Sequence, residues 1–229
     1  ALDEIQRKGI PEQFLIDINI LKARAAIIEG ELLLAAKLFE KSARSIRNRN
    51  AKSRMAFLAG QLYEDIGERP RARSSYNLCV SGQPETYDML LEASLRRTLN
   101  GNIKSVALYK ELNKLLKEPK NREYRDRIYY SLANVAKNKE DKKQQLFFLS
   151  RCIGLGSNER PTLKAIAYSE RGEIYFNDRN YSASQVDLDS AFLLLPKQHQ
   201  LRKGLEKKRK GLNFLVKEMN RIDRNDSLL

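Results

Sequence analysis

The sequence predicts an all-α fold, a right-handed solenoid of about five antiparallel helix pairs closed by a C-terminal capping helix. Three observations favour this fold: small residues recur at a fixed spacing, bulky residues recur beside them, and turn-forming residues separate the helical segments. In a solenoid each helix pair buries its apolar face against its neighbours. The 229 residues, 41% of them hydrophobic, are enough to form such a continuous core.

The recurring spacing is clearest around Gly172, which stands inside a helical pattern although glycine there costs about 1 kcal/mol relative to alanine. Steps of 3, 12, 16, 19 and 24 residues from this glycine reach Tyr175, Ser184, Leu188, Ala191 and Pro196. The same steps from Gly60 reach Tyr63, Ala72, Tyr76, Cys79 and Pro84. Because helices cross closely only where side chains are small, both glycines are interpreted as packing residues.

Turn-forming segments separate the predicted helices at “EGE” (29–31), “DIGERP” (65–70) and “NDRN” (177–180). The chain is predicted to be a single domain over 1–229, with repeats near 16–50, 53–86, 87–120, 126–160 and 165–198, of which the third is degenerate. A capping helix is predicted over 199–224, with an apolar stripe formed by Leu201, Leu205, Leu212, Leu215, Met219 and Ile222.

This spacing resembles the tetratricopeptide repeat, residue by residue around Gly60 and Gly172 and more loosely around Ala23 and Ala133. The resemblance implies a non-catalytic scaffold in which the first helix of each pair lines a concave face. Residues of these helices that avoid the packing positions combine aromatic, amide and cationic side chains, which suits a protein-binding groove. They are Arg54, Phe57, Gln61, Leu91, Leu95, Arg127, Tyr130, Asn134, Lys137, Ser169, Glu173 and Phe176.

A narrower resemblance rests on “QLYEDIGERPRARSSYNLCV”, “EYRDRIYYSLANVAKNKED”, “LKAIAYSERGEIYFNDRNYSASQVDLDSA” and “IDRNDSLL”. These segments, between about Asn48 and Leu229, resemble the SprE/PorW-type repeat lipoproteins of the type IX secretion and gliding-motility machinery of Bacteroidota. The resemblance implies a periplasmic location at the outer membrane, an upstream lipidated cysteine outside this chain, and secretion ring or translocon components as partners. Members of that family usually carry a Tyr-Tyr pair where this chain has Asp187 and Leu188.

The charge balance is strongly basic, since 43 Lys and Arg residues against 29 Asp and Glu residues produce a formal net charge of +14. This charge favours acidic partners, which include proteins, nucleic acids and lipid headgroups. The tracts “KSARSIRNRNAKSR” (41–54) and “RKGLEKKRKG” (202–211) could contact phosphates. No aromatic stacking motif of the kind that RNA-binding modules use accompanies them, so the sequence favours an acidic protein over nucleic acid.

No sequence motif indicates catalysis, a cofactor or a metal site. The sequence contains no GxSxG, no HExxH and no phosphate-binding glycine loop. A zinc site is not expected, because the two cysteines, Cys79 and Cys152, are far apart and His199 is the only histidine. Both cysteines occupy equivalent small-residue positions and are predicted to be buried. No apolar run reaches the roughly 18 residues that a membrane-spanning helix needs.

The sequence therefore predicts a non-catalytic scaffold that binds other proteins in the periplasm as part of the type IX secretion machinery. The alternative is a tetratricopeptide adaptor that binds an acidic peptide or protein in another compartment. A repeat protein that binds nucleic acid is the third possibility.

Overall fold

The computed structural model describes residues 12–101, 105–155 and 160–226, in which every regular element is helical. One short 3₁₀ helix, Pro119–Tyr124, accompanies the α-helices. The α-helices are α1 (Glu12–Ile28), α2 (Leu32–Ser45), α3 (Arg49–Asp65), α4 (Arg69–Ser81), α5 (Tyr87–Leu99), α6 (Ser105–Lys117), α7 (Arg125–Asn138), α8 (Lys142–Leu155), α9 (Pro161–Asn177), α10 (Tyr181–Leu194) and α11 (Leu201–Asp226). The predicted all-α fold of successive helix pairs is confirmed.

The chain divides into two compact units, an N-terminal unit (Ala1–Lys104) and a C-terminal unit (Ser105–Leu229). Within the N-terminal unit, each helix from α1 to α5 packs against the next helix in sequence. The same holds from α6 to α11 in the C-terminal unit. The single domain over 1–229 and its repeat boundaries stay a prediction, and residues 1–11, 102–104, 156–159 and 227–229 of it lie outside the described residues.

Four helix pairs share the same turn between their two helices. A residue with positive φ ends the first helix of each pair: Gly30 (81°), Gly67 (79°), Glu140 (58°) and Arg179 (60°). The next backbone N–H donates to a carbonyl five residues back, as Glu68 N does to Tyr63 O at 2.8 Å and Asn180 N to Tyr175 O at 2.9 Å. This is the helix-ending geometry that favours glycine, and its recurrence shows that the pairs are structural repeats.

Close helix crossings occur at both glycines that the sequence analysis singled out. A Cβ atom on Gly60 would lie 2.6 Å from Cε1 of Tyr76, and one on Gly172 would lie 2.9 Å from Cδ2 of Leu188. Neither position can hold a larger side chain unless its neighbour moves, so the interpretation of both as packing residues is confirmed.

Both cysteines are buried free thiols, as predicted. Cys79 is 0% exposed and Cys152 is 1% exposed. Burial, which disfavours the charged thiolate, raises the pKa of each thiol to about 12. Both therefore remain protonated at neutral pH and serve as small apolar packing residues.

The last helix, α11, packs against α10 and extends the core of the C-terminal unit. Leu205, Leu212 and Val216 enter this core beside Leu188 and Leu195 of the preceding segment. The helix begins and ends within three residues of its predicted limits, so the prediction that a final helix covers an apolar face is confirmed.

The predicted apolar stripe of α11 is only partly correct. Leu205 and Leu212 are buried and Leu215 packs against the core, but Leu201 is 48% exposed and Met219 is 40% exposed. The reason is length: α11 has 26 residues, about 39 Å, whereas α10 has 14, about 21 Å, so the ends of α11 run past its neighbour. The side chain of Ile222 lies outside the described part of the chain.

The packing of α11 can be tested with two substitutions two residues apart. Replacing Leu212, which is 3% exposed, by alanine should lower the free energy of unfolding by about 2–3 kcal/mol, because it leaves a cavity in the core. Replacing Phe214, which is 69% exposed, by alanine should change it by less than about 0.5 kcal/mol. Urea unfolding followed by circular dichroism measures both, and equal effects would contradict the assigned orientation of α11.

Candidate protein-binding site

The predicted site residues of the N-terminal unit divide into surface and core positions. Arg54 is exposed and Gln61 is half-buried on α3, so both can contact a ligand. Phe57 on the same helix packs against the core, with its ring edge-on to Tyr76 at 5.7 Å between centroids. Phe57 is only partly buried there, so its assignment to the binding surface stays a prediction.

Leu91 and Leu95 on α5, which the sequence analysis assigned to the binding surface, are buried instead. Each is only 2% exposed, so each belongs to the buried face of its helix. Their four-residue spacing places them on one side of α5, which is the arrangement of a helix face that is buried against protein. The sequence pattern of this degenerate repeat did not distinguish a packing face from a binding face.

In the C-terminal unit, predicted residues of α7 gather around a glutamate of α9 that the sequence analysis missed. The Tyr130 hydroxyl donates a 2.9 Å hydrogen bond to Glu170 Oε1, and Lys137 Nζ lies 3.9 Å from the same oxygen. Burial and this carboxylate raise the pKa of Tyr130. Arg127 and Asn134 are half-buried on the same helix. Tyr130 and Lys137 thus hold α7 against α9, so part of the predicted binding surface serves helix packing.

Predicted residues of α9 meet α11 in a pocket of about 500 Å³. Ser169 is half-buried on the same helix and does not line the pocket, whereas Glu173 and Phe176 do. Side chains of three helices form its walls: Glu173, Phe176 and Asn177 of α9, Leu188 of α10, and Lys207, Lys208, Gly211, Leu212 and Leu215 of α11. We call this the α9–α11 pocket.

The α9–α11 pocket has an apolar interior and a cationic rim. Leu188, Leu212 and Leu215 line its interior. Lys208 forms an ion pair with Glu173 across the rim, whereas Lys207 makes no ion pair with any described residue. The pocket can therefore accept an apolar side chain and place a carboxylate of the same ligand beside Lys207.

Gly211 leaves room in this pocket. Apart from its chain neighbours and the adjacent backbone of α11, no atom lies within 4 Å of the position that its Cβ would occupy, and its backbone has no positive φ, so neither packing nor helix geometry explains a glycine here. A glycine inside a helix costs about 1 kcal/mol relative to alanine. The sequence analysis interpreted residues 202–211 as a basic tract that could contact phosphates, and a glycine in this tract did not identify the pocket, because Gly204 is equally unobstructed and does not line it.

The described residues show neither a metal-binding cluster nor a membrane span. They contain no group of three or more His, Cys, Asp and Glu residues that could hold a metal ion. Among these residues, none of the helices is both long enough and apolar enough to cross a membrane.

Comparison with known proteins finds matches among solved structures. The chain matches no protein-family model and no curated protein. A solved structure that it matches is the TPR domain of P58(IPK), at 17% sequence identity and a TM-score of 0.34, over 89% of this chain and 56% of that one. This chain thus covers little more than half of that domain, and the low TM-score supports no argument about function. On the evidence of its own helix pairs and their shared turns, the chain has a TPR-like all-helical repeat fold, which is consistent with a protein-interaction scaffold.

Proposed function

We propose that this chain is a non-catalytic scaffold that binds an acidic polypeptide segment in the α9–α11 pocket. The observation that carries the proposal is the combination of an apolar interior with a cationic rim. One apolar side chain of the ligand enters between Leu188, Leu212 and Leu215, and a neighbouring carboxylate pairs with Lys207.

The size and chemistry of the pocket support a peptide side chain as its occupant. Its volume of about 500 Å³ fits one or two large apolar side chains and lies within the range of about 300–1,000 Å³ that is usual for ligand pockets. Desolvated apolar anchors of this kind supply most of the binding energy in protein interfaces. Phe176, which is 46% exposed and stacks edge-on against Tyr181, adds an aromatic surface beside the opening.

The charge of the chain supports an acidic ligand. The net charge of +14 attracts negatively charged partners and speeds their association. At the rim, Glu173 forms an ion pair with Lys208, whereas Lys207 has no carboxylate partner among the described residues. An acidic residue next to the apolar anchor would complete this arrangement.

We further propose that the partners are components of the type IX secretion and gliding machinery, in the periplasm at the outer membrane. The support for this is the sequence resemblance between about Asn48 and Leu229, whose segment “LKAIAYSERGEIYFNDRNYSASQVDLDSA” contains Glu173 and Phe176 of the pocket. The alternative is an adaptor that binds an acidic peptide or protein in another compartment by the same pocket chemistry. Binding of nucleic acid is the third candidate.

The pocket can be tested with two glycine substitutions in the same helix. Gly211→Leu fills the pocket, whereas Gly204→Leu adds the same side chain seven residues earlier, at a glycine that also has no atom near its Cβ position and does not line the pocket. Random peptides displayed on phage are selected against the unchanged chain, and their affinities are measured by fluorescence anisotropy. We expect selected peptides to combine an acidic with a large apolar residue and to bind Gly211→Leu at least about tenfold more weakly.

Gly204→Leu is the control for this experiment. Gly204→Leu should bind the selected peptides like the unchanged chain, and both variants should keep their helical circular dichroism. Equal binding to both variants would exclude the pocket as the site.

The secretion proposal has a separate test, affinity capture from outer-membrane extracts of a gliding bacterium. Capture of type IX components by the unchanged chain but not by Gly211→Leu would support it. If the unchanged chain captures none of them while it still binds acidic peptides, only the secretion assignment fails.

A further inference from the structure

The outward face of α11 carries a single continuous row of basic residues with one aromatic residue in it. Leu205, Leu212 and Val216 define the inward face, which is buried. On the opposite face, residues spaced alternately by four and three positions fall in line, as expected for one side of an α-helix. They are Lys203, Lys207, Lys210, Phe214, Lys217 and Arg221, all exposed, and we call them the basic stripe.

The basic stripe has the dimensions of an extended contact surface. From Lys203 to Arg221 it covers 19 residues of helix, a rise of about 27 Å. Phe214 points directly away from the core and is 69% exposed. Because its ring is largely in water and lies among cations, Phe214 is available to a partner that contacts the basic stripe.

The charge of the basic stripe is only partly balanced. Lys210 pairs with Glu206 at 2.9 Å, and Arg221 pairs with Glu218 at 3.4 Å, both on the same helix. Lys203, Lys207 and Lys217 form no ion pair with any described residue. The outward face therefore keeps an excess of positive charge along its whole length.

We propose that the basic stripe docks α11 on the surface of an anionic lipid bilayer, with Phe214 at the boundary between headgroups and acyl chains. A helix with cations and an aromatic residue on its outward side can lie along such a surface, because the lysines contact headgroups and the aromatic ring moves from water into the interfacial layer. This surface is distinct from the interior of the α9–α11 pocket, and only Lys207 borders both.

Two observations favour a bilayer over nucleic acid or an acidic protein. The stripe lies on a convex helix face with one aromatic ring, whereas proteins that bind single strands use a groove with several stacking rings. Four of its five cations are lysines, whose flexible point charges suit a diffuse array of headgroups better than the fixed, bidentate pairing that arginine provides.

A tryptophan reporter tests the position of Phe214 directly, because the chain contains no tryptophan. Phe214→Trp should show a blue-shifted emission with vesicles that contain phosphatidylglycerol and none with pure phosphatidylcholine vesicles. The control is Phe147→Trp on α8, at a phenylalanine that is also exposed, 54%, and should show no shift with either vesicle. An unshifted Phe214→Trp spectrum, or an equal shift of both reporters, would overturn the proposal.

Vesicle sedimentation tests the charges with a matched pair of variants. Changing Lys203, Lys210 and Lys217 together to glutamine should weaken binding to phosphatidylglycerol vesicles by about 100-fold, roughly fivefold for each lysine. Changing Lys110, Lys114 and Lys143, which are also exposed in the C-terminal unit, alters the net charge equally and should have much less effect. Equal losses would show nonspecific attraction and contradict the proposal.

Nucleic acid and an acidic protein are the competing partners of the stripe, and binding measurements on the same variants test them. If duplex or single-stranded oligonucleotides, or an acidic protein, bind more tightly than the vesicles at the same salt concentration and lose this affinity in the Lys203, Lys210 and Lys217 variant, the stripe is not a lipid surface. Gly211→Leu should bind vesicles like the unchanged chain, so failure of the pocket and failure of the stripe are distinguishable.

Discussion

Replacing Gly60 by leucine should lower the free energy of unfolding by about 3 kcal/mol or more, and even alanine should lower it by about 1–3 kcal/mol. A Cβ atom at this position would lie 2.6, 2.8 and 2.9 Å from three ring atoms of Tyr76. These distances are far below van der Waals contact, so either the ring or the helix must move. The gain in helix propensity, about 1 kcal/mol, is too small to offset this clash.

The Tyr76 ring cannot move away at low cost, because it is fully buried and its hydroxyl is hydrogen-bonded. It is 0% exposed, and its hydroxyl donates a 2.7 Å hydrogen bond to Glu64 Oε2. The same carboxylate accepts hydrogen bonds from Arg96 at 2.8 Å and Asn100 at 3.0 Å, which link α3 to α5. Displacing the ring would therefore disturb a hydrogen-bond network that joins α3, α4 and α5.

The matched control is Gly204→Ala in α11, where no atom lies near the added Cβ atom. This variant should be more stable than the unchanged chain by up to about 1 kcal/mol, since only helix propensity changes. Urea unfolding followed by circular dichroism compares the two. If Gly60→Ala were stabilised as much as Gly204→Ala, the close crossing of α3 and α4 would be wrong.

Replacing Asp187 by alanine should lower the free energy of unfolding by about 3–5 kcal/mol, because it removes one partner of a buried ion pair. Both carboxylate oxygens of Asp187 accept hydrogen bonds from Arg171, each at 2.7 Å. The side chain of Asp187 is 3% exposed and that of Arg171 is 18% exposed. The hydrogen bond to Asp187 raises the pKa of Arg171. In the variant this effect is lost, but a guanidinium group stays charged at neutral pH in any case, so Arg171 would be left as a charge without its partner.

Two variants serve as controls for this prediction. Glu206→Ala removes one partner of an ion pair of similar length, 2.9 Å to Lys210, but on the exposed face of α11, and should leave the unfolding curve nearly unchanged. Adding Arg171→Met to Asp187→Ala removes the unpaired charge and should restore part of the lost stability. An Asp187→Ala variant as stable as Glu206→Ala would refute the structural role of the pair.

The same ion pair links three consecutive helices. Asp187 joins α10 to Arg171 of α9. Arg171 also donates a 2.9 Å hydrogen bond to Ser150 on α8. Loss of Asp187 would therefore affect the packing of α8, α9 and α10.

The sequence by itself determined the helix pairs, their turns and the packing roles of Gly60, Gly172, Cys79 and Cys152. These features are local or recur at a fixed spacing, because a close helix crossing requires a small residue at the same place in every repeat. The glycines at positions 30 and 67 are local signals as well, because the turn after the first helix of each pair requires a positive φ.

Only the tertiary structure decided which faces of the helices are covered. Leu91 and Leu95 are buried although the repeat pattern assigned them to the groove, because the spacing of apolar residues identifies an apolar face but not what packs on it. Tyr130 meets Glu170 across 40 positions, and Glu173 meets Lys208 across 35. Such partners depend on how each helix rotates against its neighbour. That rotation results from the packing of all the side chains between them, which no single stretch of sequence contains.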